Sequence, residues 1–252
     1  HFYGHGTFSG DGETLFTTEN DYEAGQGQLG VWDATQGYAR VDEFASGGIG
    51  PHDIRLLPDS DTLVVANGGI DTHPDTGRTK LNLSTMRPNL SYLGFSGTLL
   101  DQMELPADLF SNSIRHLDVS LDGQVAIGMQ WQRDRSSSPA LVGLHRAGDT
   151  MALMQAPLNV HRDALGYVGS IAFSGNNAQL AVTCPRGGCV QVFDAVTCKF
   201  VNSHKAPDAS GITGFGDGFV VSSGTGQLRT IGIDRTMSVN HPLEWDNHLV
   251  RI

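Results

Sequence analysis

Four histidines, His5, His52, His116 and His248, each stand at the head of a short apolar run: Gly6-Thr7-Phe8, Asp53-Ile54-Arg55-Leu56, Leu117-Asp118-Val119 and Leu249-Val250. Only 10 of the 252 residues are histidine, so the recurrence is a pattern in the chain and not a matter of abundance. Imidazoles brought together from separate elements would suit a transition metal, since copper, iron and zinc all accept neutral nitrogen ligands. Two other chemistries stay open. Each ring could be a structural group bonded to neighbouring backbone, or, protonated, could bind an anion. A second set of polar residues falls in loops expected at the same end of the repeats: Glu19 and Asp21, Arg115 beside His116, and His73, Asp75 and Arg78 in the longest insertion. That insertion is expected to fold over the histidine face as a ligand-contacting lid.

The elements that must position these residues repeat along the chain. The first copy reads as strands at 4–9, 14–18, 29–33 and 38–41, with Gly10-Asp11-Gly12 as a hairpin turn. Further copies open at His52, His116, Ser170 and Gly211, and Val190-Gln191-Val192-Phe193-Asp194-Ala195 parallels Val31-Trp32-Asp33-Ala34. Repeats of roughly 40 to 50 residues, each of four short strands, predict an all-β fold, a β-propeller of four-stranded antiparallel blades. The text holds about five blades, and residues 247–252 read as the opening strand of a sixth. A ring cannot close on a lone strand, so 1–252 is expected to be one propeller domain whose complete ring has about seven blades. A five-bladed ring is the alternative. Asp33, Asp59, Asp122 and Asp194 fall in hairpin turns, where short carboxylates satisfy backbone N–H groups.

Composition removes other classes. With 16 basic against 27 acidic side chains the net charge is −11, against nucleic-acid binding as the main task. No apolar run approaches the ~20 residues of a membrane-spanning helix. There is no Gly-rich phosphate loop, Gly-x-Ser-x-Gly elbow or HExxH helix, which lowers hydrolase and kinase readings. The three cysteines, Cys184, Cys189 and Cys198, lack zinc-ligand spacing. Cys184 and Cys189 flank Pro185-Arg186-Gly187-Gly188 and could bridge across a hairpin or remain two thiols on adjacent strands.

Several stretches carry a family resemblance: His1-Phe2-Tyr3-Gly4-His5-Gly6, Thr17-Thr18-Glu19-Asn20-Asp21-Tyr22, Ser46-Gly47-Gly48-Ile49-Gly50-Pro51-His52, Asn67 to Arg78, Ser113-Ile114-Arg115-His116-Leu117 and Trp245-Asp246-Asn247-His248. In these the chain resembles, over essentially its whole length, the bacterial family known as domain of unknown function 1513. The resemblance implies a propeller of the YVTN and quinoprotein amine dehydrogenase β-chain type. It also implies export by a twin-arginine signal to the periplasm, with an export segment and first blade upstream of His1. Imelysin-like and di-haem periplasmic proteins are the implied partners, and iron or copper handling the implied setting; no established reaction comes with it. The expected function is therefore a non-enzymatic propeller that holds a metal, copper or iron, or a metal complex at His5, His52, His116 and His248. A periplasmic oxidoreductase with a histidine-ligated redox metal is one alternative, and an interaction scaffold without metal is another.

Overall fold

A computed structural model of the chain describes residues 1–77, 79–233, 237–246 and 248–250. Among the described residues twenty strands form five four-stranded sheets, each ordered in space as in the chain. The first comprises β1 (Phe2–Phe8), β2 (Thr14–Asp21), β3 (Gln26–Asp33) and β4 (Ala39–Ala45), and the second β5 (Pro51–Leu56), β6 (Thr62–Asn67), β7 (Asn89–Gly94) and β8 (Leu99–Glu104). The third is β9 (Asn112–Val119), β10 (Val125–Trp131), β11 (Val142–His145) and β12 (Ala152–Met154). The fourth is β13 (Ser170–Phe173), β14 (Gln179–Cys184), β15 (Cys189–Asp194) and β16 (Phe200–Lys205). The fifth is β17 (Ala209–Phe215), β18 (Gly218–Ser223), β19 (Gln227–Ile231) and β20 (Ser238–Asn240). Each is the up-and-down blade that the repeat predicts.

Strand sequence follows burial. The second strands β6 and β14 are sealed on both faces and carry the unbroken apolar runs Leu63-Val64-Val65-Ala66 and Leu180-Ala181-Val182. The fourth strands β4, β8 and β16 are largely exposed and mix charge with isolated apolar residues. Turns between first and second strands are closed by a repeated device. The hydroxyls of Ser9, Ser120 and Ser174 donate to Asp11, Asp122 and Asn176 and accept the backbone N–H of Thr14, Gln124 and Gln179. Asp33 and Asp194 cap the turns after the third strands by accepting backbone N–H groups of Thr35 and Gln36, and of Val196 and Thr197.

Contacts divide the chain into two compact units, residues 1–115 with 146–150, and residues 116–145 with 151–252. In the first unit Phe16, Leu29 and Val31 of the first sheet pack on Ile54, Leu63, Val65 and Leu93 of the second. In the second unit one apolar cluster runs from Ala126 and Leu144 to Phe173, Val182 and Phe193, and another joins Val190 and Val192 to Ile212, Phe219 and Val221.

The chain end departs from expectation. Residues 248–250 form no strand, and Asn247, Arg251 and Ile252 lie outside the described residues. Leu249 lies instead against β17 of the fifth sheet. A Cβ added to Gly211 of β17 would stand 3.1 Å from the backbone N of Leu249, so the missing side chain is what admits the tail there. Among the described residues no helix is long and apolar enough to cross a membrane.

Candidate functional site

In the first unit the histidines of β1 and β5 come together around a carboxylate. The rings of His5 and His52 have centroids 5.0 Å apart at an interplanar angle of 41°. His5 Nδ1 lies 3.2 Å from Oδ1 of Asp53, whose side chain is 1% exposed against 12% for His5. The same oxygen accepts from Arg55 Nη1 and from the Ile54 backbone N–H, each at 2.8 Å. Because His5 Nδ1 faces this carboxylate, a ligand to the ring would have to come to Nε2.

Backbone irregularity sets this geometry. In β5, Pro51 pairs with Asn67 and Asp53 with Ala66, which leaves His52 as the extra residue of a β-bulge. In β1 the register shifts between Phe2 and Gly6, and the Thr18 hydroxyl serves the His5 backbone, donating to its C=O at 3.2 Å and accepting its N–H at 3.3 Å. The hairpins fix the alignment. Phe8 pairs with Leu15 and Leu56 with Leu63, so counting back equally from each turn places Asp53, not His52, at the position of His5. The expected alignment is thus one residue out at His52, because an inserted bulge residue shifts the count without disturbing the apolar pattern. By the same count His116 and Ser170 hold their expected places, and Gly211 holds its own, since the Ser222 hydroxyl serves its backbone N–H and C=O as Thr18 serves those of His5.

The loop that delivers His52 is held by a buried polar network. Asn67 Nδ2 donates to Ser46 O at 3.0 Å and Asn89 Oδ1 at 2.9 Å, Asn67 Oδ1 accepts from Ser46 Oγ at 2.7 Å, and Gln102 Nε2 donates to Gly47 O at 2.7 Å. Side chains are excluded at two points: a Cβ on Gly48 would stand 2.6 Å from Asn67 and Asn89, and one on Gly50, at φ +62°, would stand 2.7 Å from Ile70 O.

The second unit holds the other pair. His116, buried in β9, and His248, exposed on the tail, have ring centroids 5.4 Å apart. Arg115 belongs to the first unit, where its guanidinium lies near Gly68 and Ser113 Oγ donates to Gly68 O at 2.8 Å.

Two imidazoles bound to one tetrahedral ion at metal–nitrogen distances of about 2.1 Å have ring centroids about 5 Å apart, so either pair is spaced to share an ion. Neither is a complete shell. Among the described residues no three His, Cys, Asp or Glu side chains are grouped so as to hold a metal. Each pair would supply two nitrogens, with the other ligands coming from outside.

Four of the expected ligand or lid residues meet elsewhere. Glu19, Asp21, His73 and Asp75 line one open cleft of about 680 Å³ with Tyr22 and Arg40, and neither His5 nor His52 lines it. His73 and Asp75 of the insertion thus stand beside the β2–β3 turn, in a cleft that the histidine pair does not line. His73 Nδ1 accepts the Asp75 backbone N–H at 3.2 Å and so caps its own turn, and Tyr22 meets the His73 ring edge-on with centroids 6.0 Å apart. Asp21 accepts the Ala24 N–H. Arg78 lies outside the described residues.

Glu19 is a structural counter-ion. Arg40 Nη1 donates to its two oxygens at 2.8 and 2.9 Å, Thr17 Oγ1 donates at 2.8 Å, and the guanidinium lies 5.1 Å from the Trp32 ring centroid. Gly30 makes the room, since a Cβ there would overlap Glu19 Oε1.

The sequence matches the family described as Protein of unknown function (DUF1513) over residues 1–252. The chain belongs to the DUF1513 family. No curated protein matches the sequence.

Solved structures similar to this DUF1513 chain include hydrazine synthase of Kuenenia stuttgartiensis, at 14% identity and TM-score 0.64, covering 94% of this chain and 71% of that one. The Cps50 (Swd1) β-propeller domain of Myceliophteria thermophila matches at 14% identity and TM-score 0.59, covering 89% of this chain and 64% of its own. A functionally unknown protein from Desulfotomaculum acetoxidans matches at 13% and 0.64, covering 96% and 71%. At such identities the likeness shows the fold alone, and with the five sheets it makes the DUF1513 fold a β-propeller.

Asp53, paired with Arg55, adjoins His5, though neither residue stands out by type in the sequence. The signal for Asp53 was present, because counting residues back from the Leu57-Pro58 turn, as from Ser9, lands on the carboxylate.

Proposed function

We propose that this DUF1513 propeller is a binding protein whose His5–His52 pair, oriented by Asp53, takes copper, iron or a complex of one of them. One observation carries the reading: a histidine held through Nδ1 by a buried carboxylate, with a second imidazole centred 5.0 Å away. A carboxylate behind a ligating histidine fixes the tautomer and ring orientation and raises the basicity of the nitrogen opposite. Arg55 and the Ile54 N–H keep that carboxylate in place, and the Ser46–Asn67 network keeps the His52 loop in place. Two nitrogens are too few for a closed structural site, which suits an ion arriving with ligands of its own. The bound metal would act as a Lewis acid or redox ion. The family resemblance supplies the setting, an exported protein of iron or copper handling in the periplasm, with imelysin-like or di-haem proteins as partners.

The test is equilibrium dialysis of the full chain, stripped of metal, against copper, iron and zinc, with His5→Ala and His52→Ala variants beside it. Binding of copper or iron at micromolar strength or tighter, weakened at least about tenfold by either substitution, is the expected result. Absence of binding by all three ions, or equal binding by the variants, overturns the reading.

A further inference from the structure

In the fourth sheet Cys184 and Cys189 are direct register partners at the inner end of the β14–β15 hairpin, buried beneath its four-residue loop Pro185-Arg186-Gly187-Gly188. Both are free thiols, as is Cys198. Paired residues of an antiparallel ladder have Cα atoms about 4.5–5.5 Å apart, within the ~4.4–6.8 Å that a disulfide spans. We infer that Cys184 and Cys189 are a redox pair, a dithiol that a disulfide-class oxidant closes to a cross-strand disulfide with β14 and β15 kept in register.

The two sulfurs are unequal. The hydrogen bond from Cys184 holds the Cys189 thiol below its ordinary range, with Ser203 helping, whereas the same bond and burial push Cys184 well up. Cys189 is also the more exposed of the two, at 6% against 0% for Cys184, and so is assigned the attack as thiolate. It displaces one thiolate from the oxidant to give a mixed disulfide. Cys184 then gives up its proton and attacks the Cys189 sulfur, releasing the second thiol; two electrons pass to the oxidant, which leaves as two thiols.

The bridge would also pin what the tip touches. Gly187 packs so closely on the carbonyl of Asp163 that no Cβ fits, and Gly188 O accepts the Ala206 N–H at 2.7 Å, so the loop braces the connections leading into β13 and β17. Cys198 takes no part. It lies in the β15–β16 turn at φ +57°, and burial, then Asp194, raise its thiol.

The experiment equilibrates the full native chain with reduced and oxidised glutathione at graded ratios, followed by acid quenching, alkylation and intact-mass and peptide analysis. Two of three thiols should be lost together over one transition, with the mass lower by two hydrogens, a peptide link between Cys184 and Cys189, and Cys198 still alkylated. Three alkylated thiols at the most oxidising ratio, or glutathione adducts without the link, overturn the inference. Cys184→Ser should trap glutathione on Cys189; an unmodified Cys189 in that folded variant removes its role as attacker and with it the proposed exchange.

Discussion

Asp53 occupies in β5 the place that His5 occupies in β1, and their side chains meet at 3.2 Å. The carboxylate thus orients the imidazole. Asp53→Asn keeps the shape and removes the charge, so copper or iron affinity should fall about ten- to a hundredfold with the circular dichroism spectrum unchanged. Titration calorimetry of the variant against the parent chain reads this directly, and unchanged affinity would separate Asp53 from the site.

Glu19 and Gly30 form a matched pair in the first sheet, a buried carboxylate and the gap that admits it. Gly30→Ala should destabilise the chain by about 2 kcal/mol or more, by displacing Glu19 from Arg40. In Glu19→Ala the same glycine substitution should cost far less. A double-mutant cycle by urea denaturation should return a coupling of about 1–3 kcal/mol, and simple additivity would contradict the contact.

Asn67 both donates and accepts at the centre of the His52 loop network. Asn67→Asp preserves volume but puts an acceptor against Ser46 O and Asn89 Oδ1, a loss of about 2 kcal/mol or more, or a drop of about 4–8 °C in Tm. Metal affinity should fall with it, because the loop that carries His52 loosens. A scanning-calorimetry trace matching the parent would show the network to be dispensable.

Acid should destabilise the second unit through His161. Burial pushes the imidazole below its ordinary range of 6.5, and Nε2–H donates to Pro139 O at 2.8 Å. A His pKa that is lower in the folded than in the unfolded state means that protonation favours unfolding. The stability is complete above pH 6.5 and is lost as pH falls, by at most about 1.4 kcal/mol per unit. Thermal midpoints measured from pH 7.5 to 5 should therefore decline, and His161→Gln, which keeps a donor without titrating, should flatten the decline.

The sheets were legible because their signals are local. Apolar runs such as Leu63 to Ala66 and Ser-x-Asp turns such as Ser9 to Asp11 each lie within a few residues. The histidine pairs were half legible. Their residue type stood out, but the bulge at His52 leaves the apolar pattern intact and so hid Asp53 from alignment. Contacts made at long separation left no trace in the text. Arg40 meets Glu19 across 21 residues, and His73 meets Tyr22 of the β2–β3 turn through packing that no spacing encodes. Nor could a sequence say that Leu249 would lie on Gly211.

The serine-anchored turns have a kinetic corollary. Ser9, Ser120 and Ser174 each close a first hairpin with partners two to five residues away, so the loop to be closed is short and its entropy small. Such hairpins form in about 1–10 μs, well ahead of the joining of separate sheets. The expected course of folding is therefore seeding at several points at once, with the docking of two-stranded ribbons as the slow step, the stage at which their unpaired edges are open to the wrong neighbour.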